Sequence, residues 1–205
     1  MARPRADDYH EKRKLILDGA AILFAEKGFA GTSINSIAQF CNTSKALIYH
    51  YYQSKEAMLF DMLHSHVNLL LDTAMEMLHK EADSEKQLRQ LLRSFMQIYV
   101  ASHAKHVVLL NDLHWLPEPQ QKCIREIERS VVKIFRDLVF KLRPDLNEKT
   151  RLGLAMALLG SVNWTYIWFK DGGSLTPDNF ADLAATLFFD GVNGISGHDS
   201  RFEKE

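Results

Sequence analysis

The sequence predicts an all-α protein in two parts, a three-helix N-terminal domain over residues 1–53 and a larger helical domain over residues 54–205. Three observations carry this reading. Apolar residues recur at intervals of three and four in almost every segment, no alternating strand pattern persists, and only five prolines and ten glycines interrupt the chain.

The first helix is expected from about Asp8 to Lys27, with Leu15, Ile16, Ala20, Leu23 and Phe24 as its apolar stripe and Gly28 as a left-handed stop. Thr32 or Ser33 caps a short second helix whose Ile34, Ile37 and Ala38 face inward, and Asn42 tolerates the left-handed conformation at its end. Ser44 caps a short third helix. Ser54, followed by Lys55 and Glu56, opens a fourth that runs to about Lys80, long enough to serve as a strut. A fifth is expected from Ser84 to about Lys105, followed by an apolar turn from Val107 to Leu110 and a Leu-Pro-Glu-Pro break at 116–119. From Gln120 to Leu142, Ile124, Ile127, Val131, Ile134, Phe135 and Leu138 make one buried face, and Pro144 ends that helix. The last two helices, about Asn147 to Lys170 and Pro177 to Ile195, flank D-G-G-S-L-T-P, where Thr176 caps and Pro177 fits the first turn.

Composition narrows the function. With 46% hydrophobic and 25% charged residues, the chain reads as an ordinary globular protein. No apolar run approaches the roughly 18 residues of a membrane span, and the start has no signal-peptide core, so a cytoplasmic protein without a membrane partner is expected. Cys41 and Cys123 form no C-x-x-C pair, and nine histidines offer no H-E-x-x-H, so no metal and no cofactor are expected. Nucleophile-elbow, phosphate-loop and dinucleotide signatures are absent too, which argues against an enzyme, although a helical-bundle carrier or enzyme stays open as an alternative.

Residues 32–55 are the most informative stretch: two short helix patterns joined by a polar turn, the second dense in groups that hydrogen-bond phosphate. A helix of about two turns cannot bury a core of its own, so its exposed face is offered to a partner, and the DNA major groove is the natural one. Net charge agrees: residues 1–55 hold eight Lys/Arg against five Asp/Glu, net +3, while the remainder is net -4. Backbone amides at the starts of helices 2 and 3, with Thr32, Ser33 and Ser44 beside them, suit phosphates. Lys45 and Lys55 add positive charge, and an arm with Arg3 and Arg5 either reaches the DNA or makes no contact.

The last two helices are apolar over more than one face, which demands burial on two sides. A second copy of the chain satisfies this through a four-helix interface using Leu152, Met156, Leu159, Leu183, Ala184, Leu187 and Phe188, unless both helices are central in a monomer core.

Together, Ile16, Ala20-Ala21, Leu23-Phe24, Gly28-Phe29, Thr32-Ser33-Ile34, Ile37-Ala38, Ser44-Lys45, Tyr49, Ser54-Lys55-Glu56 and Leu59 resemble the N-terminal domain of TetR/AcrR-family transcriptional regulators. The resemblance implies a homodimer that binds a palindromic double-stranded operator, most often as a repressor, with activation the alternative. It also implies that Tyr49 and His50 contact phosphates or bases, while one of Tyr51 and Tyr52 is core. Asn42-Thr43 and Ala46-Leu47 depart from the family's usual Gly-Val and Gly-Thr, so the base-facing surface is this chain's own. Leu47 either touches a thymine methyl or packs inward. The run N-W-T-Y-I-W-F at 163–169 resembles members tied to lipid, sterol or aromatic-acid catabolism, whose small-molecule effector is often an acyl-CoA. Tyr99, Asn111, His114, Trp115, Asn163, Trp164, Tyr166 and Trp168 are the candidate ligand-binding residues, with core or dimer packing as the other reading of each.

Overall fold

The structure is a computed structural model and describes residues 4–80 and 83–195. Its elements are α1 (Pro4–Gly31), α2 (Ile34–Phe40), α3 (Lys45–Tyr51), α4 (Lys55–Lys80), α5 (Ser84–Ala101), α6 (His103–Asp112), a 3-10 turn (Leu113–Trp115), α7 (Glu118–Leu142), α8 (Glu148–Asn163), α9 (Thr165–Trp168) and α10 (Pro177–Asn193). No strand occurs among the described residues. The chain packs as two units that divide at Val67/Asn68, Ala101/Ser102 and Arg125/Glu126. The first unit thus takes in the start of α4 and the whole of α6 besides the three helices expected over residues 1–53.

In the first unit, α1 packs on α2 and α6, and α2 packs on α3. Ile16, Ala20, Leu23, Phe24, Phe29, Ile37, Ile48, Met58, Leu59 and Met62 are all buried. Gly28, at φ 72 and ψ 160, kinks α1 so that Phe29 turns back toward Phe24, their ring centroids 5.2 Å apart. A different glycine sets the α1–α2 distance: a Cβ on Gly19 would lie 2.4 Å from Cys41 Sγ and 3.1 Å from the Phe40 ring, so only a residue without a side chain admits that approach.

The second unit is built on α10, which packs against α5 and α8. Ala181 and Ala185 are fully buried there, and small side chains let helix axes come close. Phe95 and Phe135 meet at 5.5 Å and 64°, in a core with Leu88, Leu92, Leu138, Leu158 and Val162. Arg143 closes the end of α10 by donating to the carbonyls of Val192 and Ile195.

Two segments that read as single helices are each broken. The expected helix from Ser84 to Lys105 ends at Ala101, and Ser102, at φ -120 and ψ 32, separates α5 from α6. The physical reason is tertiary: α5 packs on α10 and α8, whereas α6 packs on α1. The expected helix from Asn147 to Lys170 ends at Asn163, and α9 is one turn beyond it. Helix α1 begins at Pro4, ahead of the expected Asp8.

Candidate nucleic-acid interface and effector body

Local hydrogen bonding explains why residues 33–52 fold as two short helices. Ser33 caps α2 reciprocally with Ser36: each side-chain oxygen accepts from the other's backbone N–H at 3.0 Å. Asn42 is the positive-φ non-glycine among the described residues, at φ 48, and the Thr43 N–H reaches back to the Ala38 carbonyl at 2.9 Å. The chain therefore reverses without the usual glycine. Ser44 then caps α3, its oxygen accepting from the Leu47 N–H at 3.1 Å.

Helix α3 is anchored by one fully buried side chain, Ile48. Around it Lys45, Ala46, Tyr49 and His50 are exposed and Leu47 is half-buried. Tyr49 is 55% exposed, far more than a packed aromatic would be. Of the two aromatics that follow, Tyr52 is the core residue and Tyr51 is half-buried. The Tyr52 hydroxyl donates to Asp61 Oδ2 at 2.5 Å; burial first, then that hydrogen bond, raises its pKa well above the ordinary tyrosine value.

Thr32 and Lys55 are placed differently from the surface contacts expected of them. Thr32 is 2% exposed, and its hydroxyl donates to the carbonyls of Leu23 and Gly28 at 3.0 and 2.9 Å, so it ties down the kink in α1. The Lys55 ammonium donates to the carbonyls of Phe29 and Thr32 at 2.6 and 2.8 Å. Both hold the start of the α2–α3 pair in place. The expected Arg3 and Arg5 arm lies outside the described side chains.

Helix α6 meets this same corner. Asp112 is buried and accepts from the Phe29 backbone and the Trp115 side chain; desolvation raises its carboxyl pKa despite those bonds and the nearby His114 and Lys55. The Trp115 ring lies 5.7 Å from that of Phe29. Further along α6, Lys105 pairs with Asp18 at 2.6 Å, and His106 Nδ1 lies 3.3 Å from His66 Nε2. This contact between α6, α1 and α4 had no sequence signal, because it joins residues forty or more positions apart.

The expected effector residues divide between the two units. Asn111, His114 and Trp115 lie in the first unit and are exposed, Asn111 donating to the Val107 carbonyl at 2.9 Å. In the second unit, the buried Tyr99 hydroxyl donates to Asn163 Oδ1 at 2.8 Å. Trp164 and Trp168 are 59% and 43% exposed; Trp164 meets Tyr166 edge-on at 6.3 Å, and Trp168 meets Phe180 at 5.2 Å. Tyr99 and Asn163 are thus the pair that forms an interior polar point.

The expected dimer residues divide between core and surface. Leu159 and Ala184 are buried within the chain, whereas Leu152, Met156, Leu183 and Leu187 are exposed, Leu187 by 66%, and Phe188 is half-buried. Between α8 and α10 runs an apolar groove of about 320 Å³, lined by Ala157, Ser161, Phe180, Leu183, Leu187 and Phe188 among others. Exposed apolar surface of this kind marks an interaction site. Among the described residues no helix is long and apolar enough to cross a membrane, and no group of three metal-ligating side chains occurs.

Comparison with known proteins agrees with this geometry. Residues 16–62 match the family model for bacterial regulatory proteins of the tetR family, and residues 81–192 match the tetracyclin repressor-like C-terminal domain. The chain is 29% identical over 206 residues to the HTH-type transcriptional repressor KstR2 of Rhodococcus jostii (strain RHA1), covering 94% of this chain and 98% of that protein. A TetR-family transcriptional regulator from Bordetella parapertussis 12822 is similar in structure at TM-score 0.85 and 39% identity, over 90% of this chain and 97% of the other. AibR, whose crystal structure is in complex with isovaleryl coenzyme A and operator DNA, is similar at TM-score 0.74 and 25% identity, over 86% and 98% of the two chains.

Proposed function

The chain belongs to the TetR family of bacterial transcriptional regulators, and from that premise we propose that it is a cytoplasmic, dimeric repressor, not an enzyme, released from a palindromic operator by an acyl-CoA. The observation that carries the DNA-binding half is α3: a short helix with Ile48 as its one fully buried side chain and with Lys45, Ala46, Tyr49 and His50 exposed to face a groove. Ser33 and Ser44 place helix N-termini beside the backbone, where amide donors and the helix dipole favour phosphate. Leu47 contributes the apolar contact at the edge of that surface.

Dimerisation supplies the second half-site. Leu152, Met156, Leu183, Leu187 and Phe188 cover their partner's equivalents, an isologous contact in which the same groove meets itself. Two copies of α3 then read two half-sites, which makes the operator palindromic.

Release follows from linkage: a ligand preferring a conformation that DNA does not favour lowers DNA affinity by its differential binding free energy, and DNA weakens the ligand equally. Residues 1–53 read DNA and residues 54–205 sense the effector, and two features couple them. Helix α4 runs unbroken from Lys55 to Lys80, and α6 with the 3-10 turn that follows it grips Phe29 through Asp112 and Trp115. Similarity to AibR supports a CoA thioester as effector class, and the Tyr99–Asn163 pair offers an orienting polar contact for an otherwise apolar acyl group.

The test is selection of duplexes from a random library by the purified protein, followed by titration of the complex with acyl-CoAs of graded chain length. Enrichment of a palindrome and its release by a thioester, but not by free CoA, are expected. A library that stays random after selection would sink the DNA-binding reading, and a complex indifferent to every thioester would sink the effector assignment.

A further inference from the structure

The first turns of α1 precede the segment that matches the tetR-family model, which starts at residue 16, yet they pack on the end of α3. The Tyr9 ring lies 4.7 Å from that of Tyr51 and 6.1 Å from that of His50, the latter edge-on at 80°. His50 and Tyr51 meet each other at 5.3 Å and 78°, which closes a triangle of rings. One turn further along α1, the Arg13 guanidinium sits 5.4 Å from the Tyr52 ring centroid and pairs at 2.6 Å with Asp61, the same carboxylate that accepts from the Tyr52 hydroxyl. That second contact fixes the register of α1 against α3 and α4, so Tyr9 is delivered to the same place beside His50.

We propose that Tyr9 is a positioning residue for DNA recognition: its ring holds the His50 imidazole and Tyr51 in the orientation that faces a phosphate. The proposal rests on the DNA-binding function above. An exposed histidine on a short helix otherwise samples several rotamers, and binding would have to fix one of them at an entropic cost. The ring contact selects the rotamer beforehand. Tyr9 is 39% exposed, so its loss leaves the core of the unit intact while freeing His50. The contact is one between rings, and phenylalanine should serve as well.

A double-mutant cycle on the duplex that the wild-type protein selects from a random library tests this. Tyr9→Ala should weaken binding about tenfold and Tyr9→Phe by less than about twofold, while Tyr9→Ala in a His50→Ala background should add almost nothing. Equal losses from Tyr9→Ala in both backgrounds would overturn the proposal, because Tyr9 would then act independently of His50. A Tyr9→Phe loss as large as that of Tyr9→Ala would also overturn it, since the hydroxyl would itself be the contact. Failure of the wild-type protein to select any duplex would instead remove the DNA-binding function on which the proposal stands. Matching melting curves for Tyr9→Ala and wild type separate positioning from unfolding; a cycle that stays coupled only where Tyr9→Ala is partly unfolded counts against positioning.

Discussion

The Lys55 ammonium lies 4.1 Å from the centroid of the Phe29 ring and donates to the carbonyls of Phe29 and Thr32. One cation therefore satisfies the acceptors exposed where α1 kinks, and covers the ring that carries Trp115 on to α6. Lys55→Met keeps the aliphatic stem and removes the charge, leaving both carbonyls without that donor. A loss of about 2 kcal/mol in urea unfolding is expected. An unchanged midpoint would mean that the ammonium's part is purely at the DNA.

Gly19 predicts a steric effect that can be undone. Gly19→Ala drives a methyl group into Cys41 Sγ and the Phe40 ring and should cost about 1–3 kcal/mol. Cys41→Ala removes the closer of these atoms, so the double variant should recover most of the loss in thermal melts. Additive losses would show that the clash lies elsewhere.

Lys45 stands exposed at the start of α3, where the proposed function makes it a phosphate contact. Lys45→Ala should weaken all duplexes nearly uniformly and reduce the slope of log affinity against log salt by about 1. Binding isotherms at several salt concentrations decide this, and a change in preferred sequence with an unchanged slope would move Lys45 to base reading.

The buried His66–His106 pair makes the first unit acid-sensitive. Desolvation, reinforced by Lys105 for His66 and by His66 and His103 for His106, pushes the two pKa values down to about 4 and about 3. Both imidazoles are thus neutral in the fold, whereas the unfolded chain takes up protons from about pH 6.5 downward. Stability is full above that pH and falls as the pH drops toward 4, by about 2 kcal/mol per imidazole at pH 5. His66→Gln retains an amide near the Nε2 position and should flatten part of this acid limb in melting temperatures recorded from pH 7 to pH 5.

Leu187 is the most exposed of the large apolar residues among those described. Leu187→Glu should therefore leave the monomer folded while separating dimers in sedimentation equilibrium, and operator affinity should fall with the lost second half-site. A dimer that survives the substitution would place the interface on another face.

How much of this the sequence revealed depended on the range of the interactions involved. Caps are local, so Ser44 and Thr176 were legible from residue type and position, as were Gly28 and Asn42 at the chain reversals, and the α2 cap was narrowed to Thr32 or Ser33. The break at Ser102 was not, because the segment's periodicity continues and only separate partners for α5 and α6 demand it. Thr32 and Lys55 were read as surface groups because hydroxyl and ammonium suit phosphate, and nothing nearby in sequence announces the carbonyls of Leu23 and Phe29. Trp115 is conspicuous as an aromatic, yet its neighbour Phe29 is eighty-six positions away, beyond any pattern along the chain.

The reliance of α3 on Ile48 also bears on how such a regulator diverges. Lys45, Ala46, Tyr49 and His50 answer to no packing constraint as strict as that on the one buried side chain, so, on the proposed function, mutations there would alter what is read without threatening the fold that reads it. A duplicated copy could drift to new promoters through single codon changes, each intermediate still folded and paired. Ala46 and Leu47 are where such drift has room to begin.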